Sequence, residues 1–280
     1  MALIIPAVFA DAINEKLGFK LKVGALATNY TEEVGDITVM GNEVHFPQLK
    51  RTVTAGDVTK GTALTPSEVD MTDAKATIKQ VGASARVYDK DAKQIKGTVV
   101  DKMAEQVVDA MVTKLDSDLI AEMDTNATQK FALASAIAIT STELNGALGL
   151  FGDDIDTDSF GGIVINSRLV ASFYGMDAFV DSTKTFNGQN GNGIVKNGVI
   201  GFYMGIPVIV SNHDTYDTTK SECKTYIIKK GALGYVLQSA PSVEEARQAL
   251  LFATDIVSGS LYATHLMDTD GVVIARKTIA

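Results

Sequence analysis

The sequence predicts an α+β protein, and three features of the 280-residue chain support this prediction. Residues 98–123 carry apolar side chains every three or four positions, the spacing of an amphipathic helix. Residues 43–53 and 76–88 partly alternate between apolar and polar side chains, as half-buried strands do. After residue 160 come several short apolar runs separated by turn-forming residues, which are typical of further strands.

The two alternating stretches are interpreted as the strands of a long arm. The residues between them, 54–75, are polar and contain glycine, which indicates a mobile tip. Pro47 cannot donate a ladder hydrogen bond, so the first strand is expected at an edge. Such a hairpin has little core of its own and is marginal in water. We therefore expect the arm to pack against a partner surface, which points to assembly.

The pattern at 98–123 predicts a long helix of about 39 Å, at 1.5 Å per residue. Its apolar stripe contains Val100, Met103, Val107, Met111, Leu115, Leu119 and Met123. Its polar face contains Asp101, Lys102, Glu105, Asp109, Asp116 and Glu122. The stripe is interpreted as a core face, since methionine fills apolar gaps without any cofactor. A shorter helix is predicted at Ile5–Leu17, with Pro6 in its first turn and Gly18 at its end.

The second half of the chain predicts alternating short elements. Thr140 and Glu143 have the spacing of a capping box, which predicts a helix that continues through Leu150. A strand and a helix follow within 161–175, and the glycine- and asparagine-rich segment 184–197 is expected to be an exposed loop. The remaining strands are predicted on either side of Met204-Gly205, twice within 225–238 and once within 271–279, whereas residues 246–267 fit a helix or a buried strand.

Composition and charge argue against several classes of protein. The formal net charge is −9 and the pI is near 4.9, whereas a dedicated nucleic-acid binder usually carries a basic patch. An acidic wall beside packed DNA is compatible with this charge, because repulsion keeps DNA from adhering. The single cysteine, Cys223, excludes an internal disulfide. Since the chain starts without a signal peptide and has no membrane-length apolar run, we expect a soluble protein made in the cytoplasm.

No motif predicts a catalytic, cofactor-binding or metal-binding residue, so the protein is not expected to be an enzyme. The histidines, His45, His213 and His265, lie far apart and lack zinc-ligand spacing. The run 188–193 lacks the lysine of a phosphate-binding loop. The aspartates at 154, 156 and 158 alternate as in a calcium loop, but the glycine and final glutamate of that loop are missing.

The order of these segments resembles the tailed-bacteriophage major capsid protein family, whose fold is the Hong Kong 97-type fold. The resemblance rests on IIPAVFADAINEKL at 4–17, GNEVHFPQLKR at 41–51 and GGIVINSRLVASFYG at 161–175. It also rests on GFYMGIPVIVSN at 201–212, YIIKKGALGYVL at 226–237 and GVVIARKTI at 271–279. The resemblance spans nearly the whole chain. Each motif by itself is degenerate, so the resemblance is specific only through the order and spacing of the motifs.

The resemblance implies a division of the chain. Residues 1–35 would form an N-terminal arm and 36–90 the extended β-hairpin called the E-loop. Residues 91–145 would form the peripheral (P) domain with the spine helix, 146–234 the axial (A) domain, and 235–280 the return to the P domain.

The resemblance also implies a function. The protein would self-assemble into hexamers and pentamers of an icosahedral head that encloses double-stranded DNA without sequence specificity. The other implied partners are a separate scaffolding protein, a portal, and head-completion or decoration proteins, with no membrane and no cofactor. The location would be the virion capsid, after assembly in the bacterial host cytoplasm.

Two alternatives remain open at this point. The same fold could form an encapsulin-like compartment shell. The chain could also be an unrecognised enzyme, which is the weaker alternative because no motif predicts a catalytic residue. The short segment before the E-loop suggests either a mature form or a scaffold on another chain. Nothing in the sequence marks Lys50, Lys60 or Lys75 as a cross-linking residue.

Overall fold

The computed structural model describes residues 21–31, 38–40, 42–49, 57, 71–90, 99–153, 155–181 and 198–279. In these ranges the helices are α1 (Val99–Asn126), α2 (Ser141–Gly149) and the short α3 (Val170–Tyr174), with 3-10 turns at Thr157–Ser159, Ser167–Leu169 and Ala249–Leu251. None of these helices is apolar over the length that a bilayer requires. The predicted helix at 5–17, the loop at 184–197 and nearly all of the arm tip lie outside the described residues.

The strands confirm the predicted α+β class and outnumber the helices. They are β1 (Thr28–Asn29), β2 (Thr38–Met40), β3 (Glu43–Leu49), β4 (Met71–Thr77), β5 (Lys79–Tyr88), β6 (Gln129–Ala132), β7 (Phe160–Ile165), β8 (Phe179–Asp181), β9 (Val199–Tyr203), β10 (Ile206–Val210), β11 (Tyr216–Asp217), β12 (Glu222–Cys223), β13 (Thr225–Lys229), β14 (Leu233–Gln248), β15 (Ala253–Leu266) and β16 (Val272–Arg276).

A four-stranded sheet, here called the long sheet, has the order β1-β14-β15-β5. β14 and β15 form one extended antiparallel hairpin, and β5 pairs antiparallel with the other edge of β15. α1 packs on one face, where Met111 and Leu115 share a core with Ile256 and Tyr262. Residues 246–267 are therefore mainly strand, because pairing on both edges of β15 outweighs local helical preference.

A seven-stranded sheet, here called the wide sheet, has the order β6-β16-β13-β7-β10-β9-β8. The predicted strands around Met204 and Gly205 are β9 and β10, and these two residues have φ values of 50° and 86°. Two successive left-handed residues make the tight turn that suits a two-residue hairpin. The predicted closing strand is β16. The two strands predicted within 225–238 are β13 and β14, which join different sheets and do not pair with each other.

Helix α2 begins with the predicted capping box. The Thr140 hydroxyl oxygen accepts the backbone N–H of Glu143, and the Glu143 carboxylate accepts the backbone N–H of Thr140 at 2.8 Å. The same carboxylate accepts the backbone N–H of Ala134 at 2.7 Å, which ties the preceding loop to the helix start. The helix ends at Gly149 with Leu150 as its C-cap, one residue before the predicted end.

The arm differs from its prediction in its second strand. β3 pairs antiparallel with β4, which ends at Thr77, and β2 completes a three-stranded arm-root sheet. Residues 79–88 pair with β15 in the long sheet instead. Ile78 separates the two strands, and its N–H donates to the carbonyl of Asn42 at 3.0 Å. The alternation at 76–88 fits any half-buried strand and does not specify the partner strand.

The root of the arm packs on its own subunit, contrary to the expectation of a hairpin without a core. Val44 and Phe46 of β3 are 0% exposed and contact Val236 of β14 and Ala263 of β15. The described part of the arm is therefore held on its own subunit. The expectation that the arm packs against a partner surface now applies only to the arm tip.

Candidate assembly surface

The spine helix α1 buries the predicted apolar stripe but also one predicted polar residue. The stripe residues that can be assessed are at most 4% exposed, namely Val107, Met111, Leu115, Leu119 and Met123. Asp109 is exposed as predicted. Asp116, which the periodicity assigns to the polar face, is 0% exposed, so that assignment is wrong.

Asp116 is buried because other segments supply its hydrogen bonds. One carboxylate oxygen accepts the backbone N–H of Gly24 at 2.9 Å, and the other accepts that of Lys22 at 3.3 Å. The Nδ1 atom of His213, in the segment after β10, lies 3.1 Å from the second oxygen. A buried carboxylate is stable only when its oxygens are paired in this way. Asp116 therefore fastens residues 22–24 and the segment after β10 to the spine helix.

A second buried carboxylate joins the spine helix to the start of β5. Asp118 is 6% exposed and accepts hydrogen bonds from Lys114 Nζ at 2.9 Å, Tyr262 Oη at 2.8 Å and Lys79 Nζ at 3.4 Å. Burial alone would raise the pKa of Asp118, but the bonds from Lys114 and Tyr262 hold it below its usual value. Lys79 is the first residue of β5, so this group ties the start of β5 to the spine helix.

His265 links the arm root to the same helix. Its ring stacks on Phe46 of β3 with centroids 5.3 Å apart and planes at 17°. Its Nδ1 atom lies 3.4 Å from a carboxylate oxygen of Glu122 on α1. The side chain thus bridges the arm, β15 and the spine helix, which is a structural role.

The closing strand pairs with a third buried carboxylate. Glu222 is 1% exposed, and its carboxylate accepts Arg276 Nε at 2.6 Å and the backbone N–H of Thr278 at 2.8 Å. Arg276 also donates to Asp217 at 3.0 Å. Burial alone would raise the pKa of Glu222, but the donors from Thr278 and Arg276 hold it below its usual value.

The far end of the long sheet exposes a group of large apolar side chains, here called the sheet tip. These side chains are Tyr88 at 46%, Leu250 at 96%, Leu251 at 49%, Phe252 at 71% and Val257 at 42% exposure. The turn between β14 and β15 carries three of them, and the N–H of Asp89 donates to the Phe252 carbonyl at 2.9 Å, which brings the end of β5 to the same turn. Clustered exposed apolar side chains mark interaction surfaces.

Two arginine–carboxylate pairs fasten the strands just behind the sheet tip. Arg86 of β5 donates through Nε and Nη2 to the two oxygens of Asp255 on β15, at 2.6 and 2.8 Å. Arg247 of β14 donates to both oxygens of Asp89, at 2.8 and 2.6 Å, and to Thr254 at 3.2 Å. The hydrogen bonds raise the pKa of both guanidinium groups and lower the pKa of Asp255.

The residues that the sequence analysis considered for chemistry form no common group where the structure describes them, and Asp154 lies outside the described residues. His45 lies 3.9 Å from Glu43 on the arm root, and Cys223 is 1% exposed in a setting where burial raises the pKa of its thiol. Asp156 caps the 3-10 turn that follows it. In the ranges that the structure describes, no three histidine, cysteine or acidic side chains are grouped to hold a metal ion.

The sheet tip is the feature that the sequence reasoning missed. Residues 246–267 were ambiguous between helix and strand, so the consecutive apolar residues 250–252 could not be assigned to a turn. An apolar triplet at the turn of a hairpin, where polar residues are usual, is the signal that would have found it.

Comparison with known proteins identifies solved structures that share this fold. No protein-family model matches the sequence, and no curated protein matches it either. Among solved structures, the chain matches a chain of Mycobacterium phage Che8 at 18% identity and a TM-score of 0.65, over 92% of both chains. It matches the capsid structure of Cyanophage P-SCSP1u at 15% identity and a TM-score of 0.62, over 92% of this chain and 88% of the other. It matches the capsid of a native GTA particle at 10% identity and a TM-score of 0.65, over 92% and 90%.

These likenesses define the class of fold. The chain has, over nearly all of its length, the fold found in phage capsid and GTA capsid structures. At such identities the match concerns the arrangement of the backbone, and function has to be argued from surfaces and chemistry.

Proposed function

We propose that the protein is the major capsid protein of a tailed bacteriophage, which self-assembles into hexamers and pentamers of an icosahedral head. The observation that carries the proposal is the fold, which is shared with capsid structures over most of both chains. The exposed sheet tip supports it, because clustered exposed apolar side chains suit contacts between subunits.

The proposed domain division follows the same reasoning. Residues 91–145 and 235–280 form the P domain, since α1 packs on the β14–β15 hairpin and Met111 Sδ lies 3.4 Å from Ser258 Oγ. Residues 146–234 form the A domain, and 1–35 and 36–90 form the N-terminal arm and the E-loop. The pairing of β5 with β15 supports an E-loop whose free part ends near Thr77.

The interior of the proposed shell holds double-stranded DNA without reading its sequence. A net charge of −9 supports this, because an acidic subunit does not bind the phosphate backbone tightly. The proposed partners are other copies, a separate scaffolding protein, a portal, and head-completion or decoration proteins. The proposed location is the virion, after assembly in the bacterial cytoplasm.

Electron microscopy and sedimentation of the purified protein test the proposal. Expressed alone or with a scaffolding protein, the chain is expected to form capsomers, shells or tubes as its concentration rises, since many weak contacts act together in a closed shell. A species that stays monomeric at high concentration, with and without scaffold, would contradict the proposal. Particles that enclose protein instead of DNA during infection would favour a compartment shell.

A further inference from the structure

We infer that Thr113, His213 and Asp116 form a nucleophilic site at which the Thr113 hydroxyl accepts an acyl group from an activated ester or thioester. The three side chains form a chain of contacts from a buried carboxylate, through an imidazole, to an exposed hydroxyl. The inference goes beyond the proposed function and does not depend on it. The reaction modifies each subunit once and needs no turnover.

The order of the contacts is the first argument. The Nδ1 atom of His213 lies 3.1 Å from Oδ2 of Asp116, and Nε2 of the same ring lies 3.5 Å from Oγ1 of Thr113. A carboxylate only accepts hydrogen bonds, so it holds the proton of the neutral ring on Nδ1 and leaves the lone pair of Nε2 towards the hydroxyl. A contact of 3.5 Å is long for a hydrogen bond, but such bonds at reactive sites often tighten only when a substrate is bound.

The burial of the three side chains is the second argument. Asp116 is 0% exposed, the side chain of His213 is 24% exposed, and Thr113 is exposed. The carboxylate is shielded from water and fixed by the backbone N–H groups of Gly24 and Lys22. A fixed anion in such a site stabilises the imidazolium that forms when the ring takes up a proton. The hydroxyl, in contrast, can be reached by a molecule from solution.

The backbone positions the ring and both of its partners. Thr113 and Asp116 are three residues apart on α1, so they lie on the same side of the helix. His213 follows β10 in a turn where its N–H donates to Ser211 Oγ at 3.4 Å and Thr215 Oγ1 donates to the Ser211 carbonyl at 2.6 Å. This ordered turn keeps the imidazole beside the hydroxyl, which is what general-base assistance requires.

The acyl transfer needs no reagent besides the donor. In the free subunit the Thr113 hydroxyl donates to the Asp109 carbonyl at 2.7 Å, and rotation about its C–O bond turns the proton towards His213 without moving a heavy atom. The oxygen then attacks the carbonyl carbon of the donor while Nε2 takes the proton. As the bond from that carbon to the thiolate or alkoxide breaks, Nε2 passes the proton to the leaving group. The products are an ester on Thr113 and the free thiol or alcohol.

The same helix contains a natural comparison for Thr113. Thr125 is exposed, and its hydroxyl donates to the Ala121 carbonyl at 2.8 Å, just as Thr113 donates to Asp109. In the described part of the chain, no hydrogen bond joins an imidazole to the Thr125 hydroxyl. The two threonines therefore share the helix, the exposure and the backbone hydrogen bond, and they differ in the ring of His213.

Acetylation of folded, unassembled subunits by p-nitrophenyl acetate, followed by peptide mass mapping, tests the inference. The acetyl ester on Thr113 should form at least about tenfold faster than that on Thr125, because general-base assistance commonly contributes on the order of 100-fold or more. His213→Gln removes the base and should lower the Thr113 rate to the Thr125 rate, whereas Thr125→Val should leave acetylation of Thr113 unchanged. Mapping also separates these esters from acetyl amides on lysine.

Equal acetylation rates at Thr113 and Thr125 in the unmodified protein would overturn the inference, and this comparison decides the question even if His213→Gln fails to fold. An unchanged Thr113 rate in His213→Gln, at an unchanged thermal midpoint, would contradict the role of the imidazole. An acetyl group that stays on His213 would refute the assignment of Thr113 as the nucleophile. None of these results bears on the capsid function, which particle formation tests separately.

Discussion

Replacing Asp116 by alanine should lower the free energy of unfolding of the subunit by about 2–5 kcal/mol. The change removes the acceptors for the backbone N–H groups of Gly24 and Lys22 and the partner of His213. Each donor left unpaired in a buried position costs about 1–3 kcal/mol. The loss is offset in part because the variant no longer buries a carboxylate. Against a total stability of about 5–15 kcal/mol, such a loss is large.

Urea unfolding of dilute, unassembled subunits measures this difference. Asp109→Ala is the matched control, because Asp109 lies on the same helix and is exposed. That variant should change the stability by less than about 0.5 kcal/mol. Asp116→Asn, which keeps the shape and one acceptor oxygen, should fall between Asp116→Ala and the unmodified protein.

Hydrogen exchange locates the effect. If Asp116 holds residues 22–24, the amide of Gly24 should exchange much faster in Asp116→Ala, while amides in the wide sheet keep their protection relative to global unfolding. Equal stabilities of Asp116→Ala and Asp109→Ala would refute the reasoning. Unchanged exchange at Gly24 would refute the assignment of the loss to this segment.

Three further predictions concern other parts of the fold. Met111→Asp should abolish soluble expression, because an unpaired charge would enter a site that is 3% exposed, at a cost of several kcal/mol. Thr140→Ala should lower the urea stability by about 1 kcal/mol, since it removes the cap of α2; an unchanged midpoint would contradict the capping role. The depressed pKa of Glu222 stabilises the fold above the unfolded value of about 4.3 and loses this effect as pH falls through the folded value. Urea midpoints between pH 6 and pH 3 should therefore fall less steeply in Glu222→Gln than in the unmodified protein, and parallel curves would contradict the depressed pKa that the donors from Thr278 and Arg276 give to Glu222.

Local elements could be predicted from the sequence because their signals lie within a few residues. The apolar stripe of α1 repeats over several turns, and the capping box of α2 needs only Thr140 and Glu143. The turn at Met204-Gly205 is equally local. Each of these predictions is confirmed by the structure.

Partners that are distant in sequence could not be predicted. The alternation at 79–88 is that of a strand, but its pairing with β15 joins residues more than 160 positions apart. Asp116 fits a polar face by periodicity, and its burial depends on backbone N–H groups 92 and 94 positions away. The burial of Val44 and Phe46 likewise depends on β14 and β15. In all three cases tertiary contacts decide the environment of a residue whose local pattern is ambiguous.

Three charged side chains are buried in the described part of this fold, whereas a group of large apolar side chains is exposed. Asp116, Asp118 and Glu222 are buried, and each joins segments that are far apart in the chain. The sheet tip shows the reverse arrangement, with apolar side chains exposed at the end of a sheet. Buried ion pairs add little net stability over apolar packing, but each accepts only one arrangement of its partners. Each carboxylate fixes the relation of the segments that it joins: Asp116 holds residues 22–24 and the segment after β10 on α1, Asp118 joins α1 to β5 and β15, and Glu222 joins β12 to β16 and the residue Thr278. In the proposed shell such fixed relations matter, because a shell closes only if every subunit presents its contacts at the same angles.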